Sequence, residues 1–264
     1  MRNFKIIAGF CAALLFALAP AGTAGAQSVA QRIARVSDGT VRLSFNLRKG
    51  ICGSGNSIRE GRGNTTWGPD RSQDVEWDDD CYTGPGRLVV VRRAGETTGL
   101  RFYVGGRWRP SDATDLGMIA APEAASYLVG LAETANGEVA EKAVFPATVV
   151  DSANVWPAFI RVARNESRPR KVRTQAVFWL GQAAGDSATA HLSALAVDNS
   201  VDREVRSQAV FALSQRPRDE GVPALISIAR TNKDPELRRK ALFWLGQPND
   251  PRAVDLFEQL ILKK

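Results

Sequence analysis

The sequence predicts a two-part α+β chain, a small β-rich N-terminal module followed by an all-α solenoid. Two observations carry this. In the C-terminal half one seven-residue phrase occurs four times, as Val139-Ala-Glu-Lys-Ala-Val-Phe145, Val172-Arg-Thr-Gln-Ala-Val-Phe178, Val205-Arg-Ser-Gln-Ala-Val-Phe211 and Leu237-Arg-Arg-Lys-Ala-Leu-Phe243, at intervals of 33, 33 and 32 residues. A fixed period of that size marks one supersecondary unit stacked on copies of itself, each burying the face its neighbour leaves open. Residues 39–108, by contrast, carry β-rich runs punctuated by glycine, the pattern of strands and turns.

Taken in order, the chain opens with the basic Met1-Arg2-Asn3-Phe4-Lys5 and the apolar stretch Ile6–Ala19, then the small-x-small site Ala24-Gly25-Ala26. These are the three parts of a secretory signal, so residues 1–26 are expected to be cleaved and the mature chain to begin at Gln27. Fourteen apolar residues fall short of the roughly 20 that span a bilayer. No later run is longer, so the expectation is export to the periplasm or beyond, with no transmembrane segment in the mature chain. A periplasmic address assumes a bacterial source, which the Arg- and Ala-rich composition suggests.

Cleavage removes Cys11 and leaves Cys52 and Cys81. Two cysteines in an oxidising compartment most often pair, and such a disulfide would stabilise a small domain by roughly 3 kcal/mol. The alternative is a metal pair, for which the single histidine, His191, lies far away in the repeats. Net charge falls from +7 to +5 once Arg2 and Lys5 leave. The basic balance favours acidic partners, yet no basic stripe with interleaved aromatics marks a nucleic-acid reader.

The β-rich module is assigned to residues 27–110. Thr40–Leu47 alternates apolar and polar residues, Arg87–Arg92 holds Leu-Val-Val-Val, and Leu100–Val104 meets Gly105-Gly106 and Arg107-Trp108, a hairpin signal. Gly53–Asp80 is polar and reads as one extended loop closed by Cys52 and Cys81. Few apolar positions make a marginal core, which is where a covalent clip matters. Residues 111–121 read as a linker.

From Pro122 to Lys264 the spacing is helical, with the phrase as the first helix of each unit and Val155–Ala163, Ala188–Ala196, Val222–Ala229 and Ala253–Ile261 as the second. Asp151, Gly185-Asp186, Arg218-Asp219 and Asn249-Asp250 mark turns with capping residues, and Asp202 and Asp234 precede their phrases by three residues. This pattern, closest in Asp234-Pro-Glu-Leu-Arg-Arg-Lys-Ala-Leu-Phe-Trp-Leu-Gly-Gln-Pro-Asn-Asp-Pro-Arg-Ala-Val, resembles the HEAT-repeat family in its short bacterial form, over residues 122–264. The resemblance implies an α-solenoid used for protein contacts. Related short repeats occur in bilin lyases, whose attaching chemistry has no counterpart here.

On a helix turning about 100° per residue, Val172, Ala176 and Leu180 share one side with Trp179 beside them, as do Val205, Ala209 and Leu213. That side is core. Phe145, Phe178, Phe211 and Phe243 fall at another angle, where a column of rings is either an aromatic stripe that binds a partner or packing between repeats and the β-module. Gln182, Gln215 and Gln247 recur at the ends of the same helices, where amides tie loops together or contact a partner backbone. Arg173, Arg206 and Arg238 form a second ladder, expected to bond turn carbonyls or acids of neighbouring units.

Catalytic groups are sparse. His191 sits on a small apolar helix, and no nucleophile elbow, paired-histidine zinc helix or phosphate loop occurs. Gly53-Ser-Gly55 lacks the third glycine of a dinucleotide fingerprint. Asp78-Asp79-Asp80 is the one acidic cluster and reads as an exposed turn rather than a calcium site. The expectation is a noncatalytic exported scaffold that binds another protein through Phe145, Phe178, Phe211, Phe243, Gln182, Gln215 and Gln247, with no cofactor, metal or catalytic residue. The alternative is a polyanion- or glycan-binding envelope module that uses the basic excess and Trp67, Trp77 and Trp108.

Overall fold

The computed structural model describes residues 27–54, 57–60, 63–65, 74–77, 81–182 and 186–262. The expected signal at 1–26, Trp67 and Asp78-Asp79-Asp80 lie outside the described residues.

The module opens with α1 (Val29–Ala34), which begins where Ser28 and Gln31 form a reciprocal capping box. Its strands are β1 (Gly39–Phe45), β2 (Ile51–Ser54), β3 (Ser57–Glu60), β4 (Gly63–Thr65), β5 (Val75–Glu76), β6 (Gly86–Arg93), β7 (Glu96–Val104), β8 (Arg107–Trp108) and β9 (Thr114–Ile119). The main sheet has the order β7-β6-β1-β9. Alternation puts Val41, Leu43 and Phe45 opposite Val90, Leu88 and Gly86, and sets Leu88 and Val90 opposite Phe102 and Leu100. These apolar side chains bury on one face, the period-2 arithmetic of a strand covered on one side.

Three segments depart from the sequence reading. Gly105-Gly106 does not close a hairpin: both glycines take positive φ, +64° and +69°, and turn β8 onto β5, where Trp108 opposes Val75. A Cβ on Gly106 would lie 2.5 Å from the Glu76 carbonyl oxygen, so the second glycine is needed for close approach, not for reversal. The reversal comes at Ala94-Gly95, both at positive φ, in the two-residue loop between β6 and β7. Gly53–Asp80 is not one extended loop, because β2, β3 and β4 form an antiparallel meander and β5 lies beyond it. Ile58 is buried in β3, but one apolar residue in a four-residue strand leaves no alternation to detect. Residues 111–121, expected as a linker, carry β9, which runs parallel to β1 and buries Ile119. Cys52 and Cys81 form a disulfide, Cα atoms 5.2 Å apart, beside a bridge between Gly53 and Tyr82.

The helices are α2 (Ala121–Thr134), α3 (Gly137–Thr148), α4 (Trp156–Arg164), α5 (Arg170–Gly181), α6 (Asp186–Val197), α7 (Arg203–Ser214), α8 (Arg218–Thr231), α9 (Pro235–Leu245) and α10 (Pro251–Leu262). The phrase helices α3, α5, α7 and α9 pack in succession as one layer, while α4, α6, α8 and α10 complete their units. Val172, Ala176, Leu180, Val205, Ala209 and Leu213 are all fully buried, as their common side requires. Asp202, Asp234 and Asp250 accept from the backbone N–H two residues on, satisfying donors that a helix start leaves open. Asp151 and Asp219 do not cap, since α4 starts after Val155 and α8 after Pro217.

The two parts share one core. Val41, Leu43, Phe45, Leu100 and Phe102 of the sheet join Leu128, Ala143, Phe145, Phe159 and Trp179 of the helices in a single buried cluster. Backbone bonds reinforce it, from Arg48 N–H to the Val149 carbonyl and from Asp151 N–H to the Asn46 carbonyl. The β-rich module therefore covers the first phrase helix, the end of the array that would otherwise expose apolar surface.

Candidate functional site

The phrase helices set four residues on a common ridge at spacings of four, three and four. In α5 these are Lys171, Gln175, Phe178 and, at the helix end, Gln182. The following units repeat them as Glu204, Gln208, Phe211, Gln215 and as Glu236, Lys240, Phe243, Gln247. Each predicted Phe and Gln are thus i,i+4 neighbours on one face, and Gln247 Nε2 donates to the Phe243 carbonyl at 3.4 Å. Gln182, Gln215 and Gln247 are all exposed.

The phenylalanines belong to a longer chain of rings. Phe45 stacks on Phe102 at 5.9 Å, Phe102 meets Phe145 edge-on at 6.0 Å, and Phe145 lies 4.8 Å from Trp179. Trp179 contacts Phe178 at 5.1 Å, Phe178 stacks on Phe211 at 6.4 Å, and Phe211 reaches Trp244 and so Phe243 at 5.1 and 5.0 Å. Burial falls along this line: Phe145 is buried, Phe178 and Phe211 are half-buried, and Phe243 is 58% exposed. The column is core where the β-module lies over it and surface where that cover ends. Offset and edge-on ring pairs at these separations favour a fixed geometry beyond simple area burial.

Where cover gives way to surface, a cleft of about 410 Å³ opens between Ile58 and Phe102 of the module and α3 and α5. Phe145, Pro146 and Gln175 form part of its lining, and the Gln175 side-chain oxygen is buried with no partner among the described residues. Its rim is charged in pairs, Glu138 with Lys142 and Glu141 with Lys171, both at 2.6 Å. The adjacent lysine draws the Glu138 carboxyl below its ordinary range, and Glu141 lifts Lys171 above its own. A neutral, paired rim around an apolar floor suits a polypeptide better than a phosphate or a sulfate.

The arginine ladder is structural. Arg173 lies 3.8 Å from Asp202 and Arg206 3.5 Å from Asp234, each acid capping the first helix of the next unit. Burial pushes both aspartates up, but backbone donors and the facing arginines outweigh it and hold them below the usual carboxylate range. Arg238 instead donates to the Asn232 and Lys233 carbonyls of its own turn.

The alternative site behaves differently. The guanidinium groups of Arg42 and Arg87 lie over the Trp108 ring, at 5.3 and 5.0 Å from its centre, and with Trp77 it packs on Val75, Val89 and Tyr103. These arginines are already engaged: Arg42 bonds Asp115 and the Arg109 carbonyl, and Arg87 bonds the Gly105 and Gly106 carbonyls. Burial lowers the Arg87 pKa. His191 is exposed and its Nδ1 lies 2.6 Å from the Ser187 carbonyl oxygen. Among the described residues no cluster of histidine, cysteine, aspartate and glutamate could hold a metal, and no helix is long and apolar enough to cross a membrane.

Sequence reasoning missed Arg216. Its guanidinium is buried and joins Thr189 of α6, Glu220 of α8 and the Gly181 carbonyl of α5, locking three helices across a junction. No other unit has arginine after the terminal glutamine, so no period points to it. Trp179 and Trp244 as links in the ring column were legible from the Phe-Trp pairs themselves.

Residues 197–264 match the family model for HEAT repeats, a span that runs from the end of α6 through α10. No curated protein matches the chain.

Proposed function

We propose that the chain is a noncatalytic exported scaffold that holds another protein on the phrase-helix face, from the cleft at Phe145 along Phe178, Phe211 and Phe243 with the flanking glutamines. The observation that carries this reading is the ring column itself, continuous in packing yet progressively uncovered toward α9. Aromatic rings beside solvent-exposed glutamine amides supply apolar anchors and hydrogen-bonding groups together, and aromatic residues are enriched at protein interfaces. HEAT repeats generally mediate protein contacts, which supports the same use of residues 197–264. Export rests on the residues before Gln27 and on a disulfide suited to an oxidising compartment.

Affinity capture from envelope extracts, with wild type beside Phe243→Ser and a Phe178→Ser/Phe211→Ser double variant, tests the assignment. A partner held by wild type and lost by Phe243→Ser, with the fold intact by thermal melting, supports the face. Equal recovery by all three overturns it. A steep fall in binding with added salt would favour the polyanion reading instead, because screening weakens exposed charge contacts.

A further inference from the structure

We propose that the cleft beside Phe145 takes an extended polypeptide segment as an added strand on the outer edge of β7. This rests on the reading of that cleft as part of the partner-binding face, and it names the conformation the partner brings there. β7 ends the main sheet, with β6 on one side and no strand on the other among the described residues. Such an edge presents backbone donors and acceptors that can pair with another chain.

The ladder fixes which groups those are. Gly105 N–H donates to the Pro85 carbonyl at 2.9 Å, which makes these two a hydrogen-bonded pair, and in an antiparallel ladder such pairs alternate with unbonded ones. Counted back through the register, Tyr103 and Arg101 bond β6, while Val104, Phe102 and Leu100 turn their N–H and C=O away from it. Trp77 agrees with this direction, because its Nε1 donates to the Val104 carbonyl at 2.8 Å from outside the sheet. At Phe102 and Leu100 no such partner follows: among the described residues, nothing bonds their outward groups. Both residues are nonetheless withdrawn from water, Leu100 at 1% and Phe102 at 7% exposure. Backbone groups held from water without a partner cost about as much as a lost hydrogen bond, and a docking strand would supply the partner.

The cleft lies along this edge. Leu100, Arg101 and Phe102 all line it, although alternation sends Leu100 and Phe102 into the shared core and Arg101 to the opposite face, where it pairs with Asp74 at 2.6 Å. A cavity that touches consecutive strand residues looks onto the edge of the strand rather than onto one face. An added strand would set alternate side chains on the face of Leu100 and Phe102, against Phe145 and Pro146, and the others on the face of Arg101. The occupant is therefore a segment with apolar residues at alternate positions. It needs no net charge, since Arg101, Lys142 and Lys171 are already paired with acids. A helix cannot use the edge, because its own backbone is bonded internally. The opposite edge, β9, is blunted by a shift of register against β1 and by Gly117 at a φ of +71°.

The test follows amide hydrogen exchange by NMR in the full chain, with an uncharged, N-acetylated and C-amidated heptapeptide of alternating valine and threonine as the probe. In the chain alone, Leu100 and Phe102 should exchange about tenfold faster than Arg101 and Tyr103, whose N–H groups bond β6. Millimolar peptide should slow Leu100 and Phe102 by about tenfold and leave Arg101 and Tyr103 unchanged. The same peptide methylated at its backbone nitrogens should do neither, and Phe243→Ser should leave the effect intact. Leu100 and Phe102 already as slow as their neighbours, no slowing with peptide, equal slowing by the methylated peptide, docking lost in Phe243→Ser, or slowing that needs only a higher concentration of the chain itself would each overturn the added strand. Partner capture by wild type and not by Phe243→Ser, beside any of these, would leave the phrase-helix face standing without it. Equal partner recovery with peptide docking intact would count against that face alone.

Discussion

Arg206 and Asp234 lie 3.5 Å apart across the junction of the third and fourth units, both less than a tenth exposed. The acid is shared three ways: it caps α9, it faces Arg206, and it accepts from Arg203 at 3.0 Å. Truncating one partner of such a pair leaves the other desolvated and uncompensated. Arg206→Ala is therefore expected to lower the thermal midpoint by roughly 4–8 °C, whereas Arg238→Ala, which loses only bonds to its own turn, should shift it by less than about 2 °C. Calorimetry on the two variants checks the contrast. Equal shifts would mean that the junction acid contributes nothing beyond its cap.

The ring column makes a second contrast within one residue type. Phe145 is enclosed by Phe102 and Trp179, and Phe145→Ala should cost about 3–4 kcal/mol because the β-module and α5 cannot collapse together into the space. Phe243, mostly solvated, should cost less than about 1 kcal/mol on the same change. Urea denaturation of both variants measures this, and a large loss at Phe243 would place it in the fold rather than on the binding face.

Much of this arrangement could be read from the residues because the repeat supplies its own alignment. Val172, Ala176 and Leu180 were identifiable as core since three other units repeat them at helical spacing, and the same spacing put Phe178 and Gln182 on one ridge. What a period cannot show is how the first unit meets something that is not a repeat. Phe145 occupies the same phrase position as Phe243, yet one is buried, and the difference lies in Phe102 on β7, far away in sequence. Short strands failed for a related reason: β3 has one apolar residue and β8 is two residues long, so partner strands rather than local pattern decide them. Arg216 was invisible because its partners come from three helices and the arginine itself has no counterpart in the other units.

Acid should loosen the turns between units. Asp250 is lowered to about 2, first by the side-chain bond from Arg252, which outweighs the upward push of burial, and Asp202 and Asp234 are lowered as well. A carboxyl held below its unfolded value binds its proton less readily in the folded chain. Its contribution is complete above about pH 4 and is lost as pH falls toward about 2. The thermal midpoint should accordingly drop across that window, and Asp250→Asn should flatten part of the slope. Because Arg252 also donates to the Arg218 carbonyl, the same variant should raise hydrogen exchange at the start of α8.

The disulfide sets the remaining expectation. Cys52 and Cys81 are 29 residues apart in sequence and enclose the β2-β3-β4 meander and β5, segments with few buried apolar residues of their own. Closing a loop of that length removes unfolded-state freedom worth roughly 3 kcal/mol. Ile58, carried by the meander, is one wall of the cleft beside Phe145. A Cys52→Ser/Cys81→Ser variant should therefore lose about 2–4 kcal/mol in urea denaturation, and hydrogen exchange should rise in β2 and β3 before it rises in α5 or α7. If exchange instead rose uniformly through the helices, the clip would be holding the shared core together rather than one wall of the cleft.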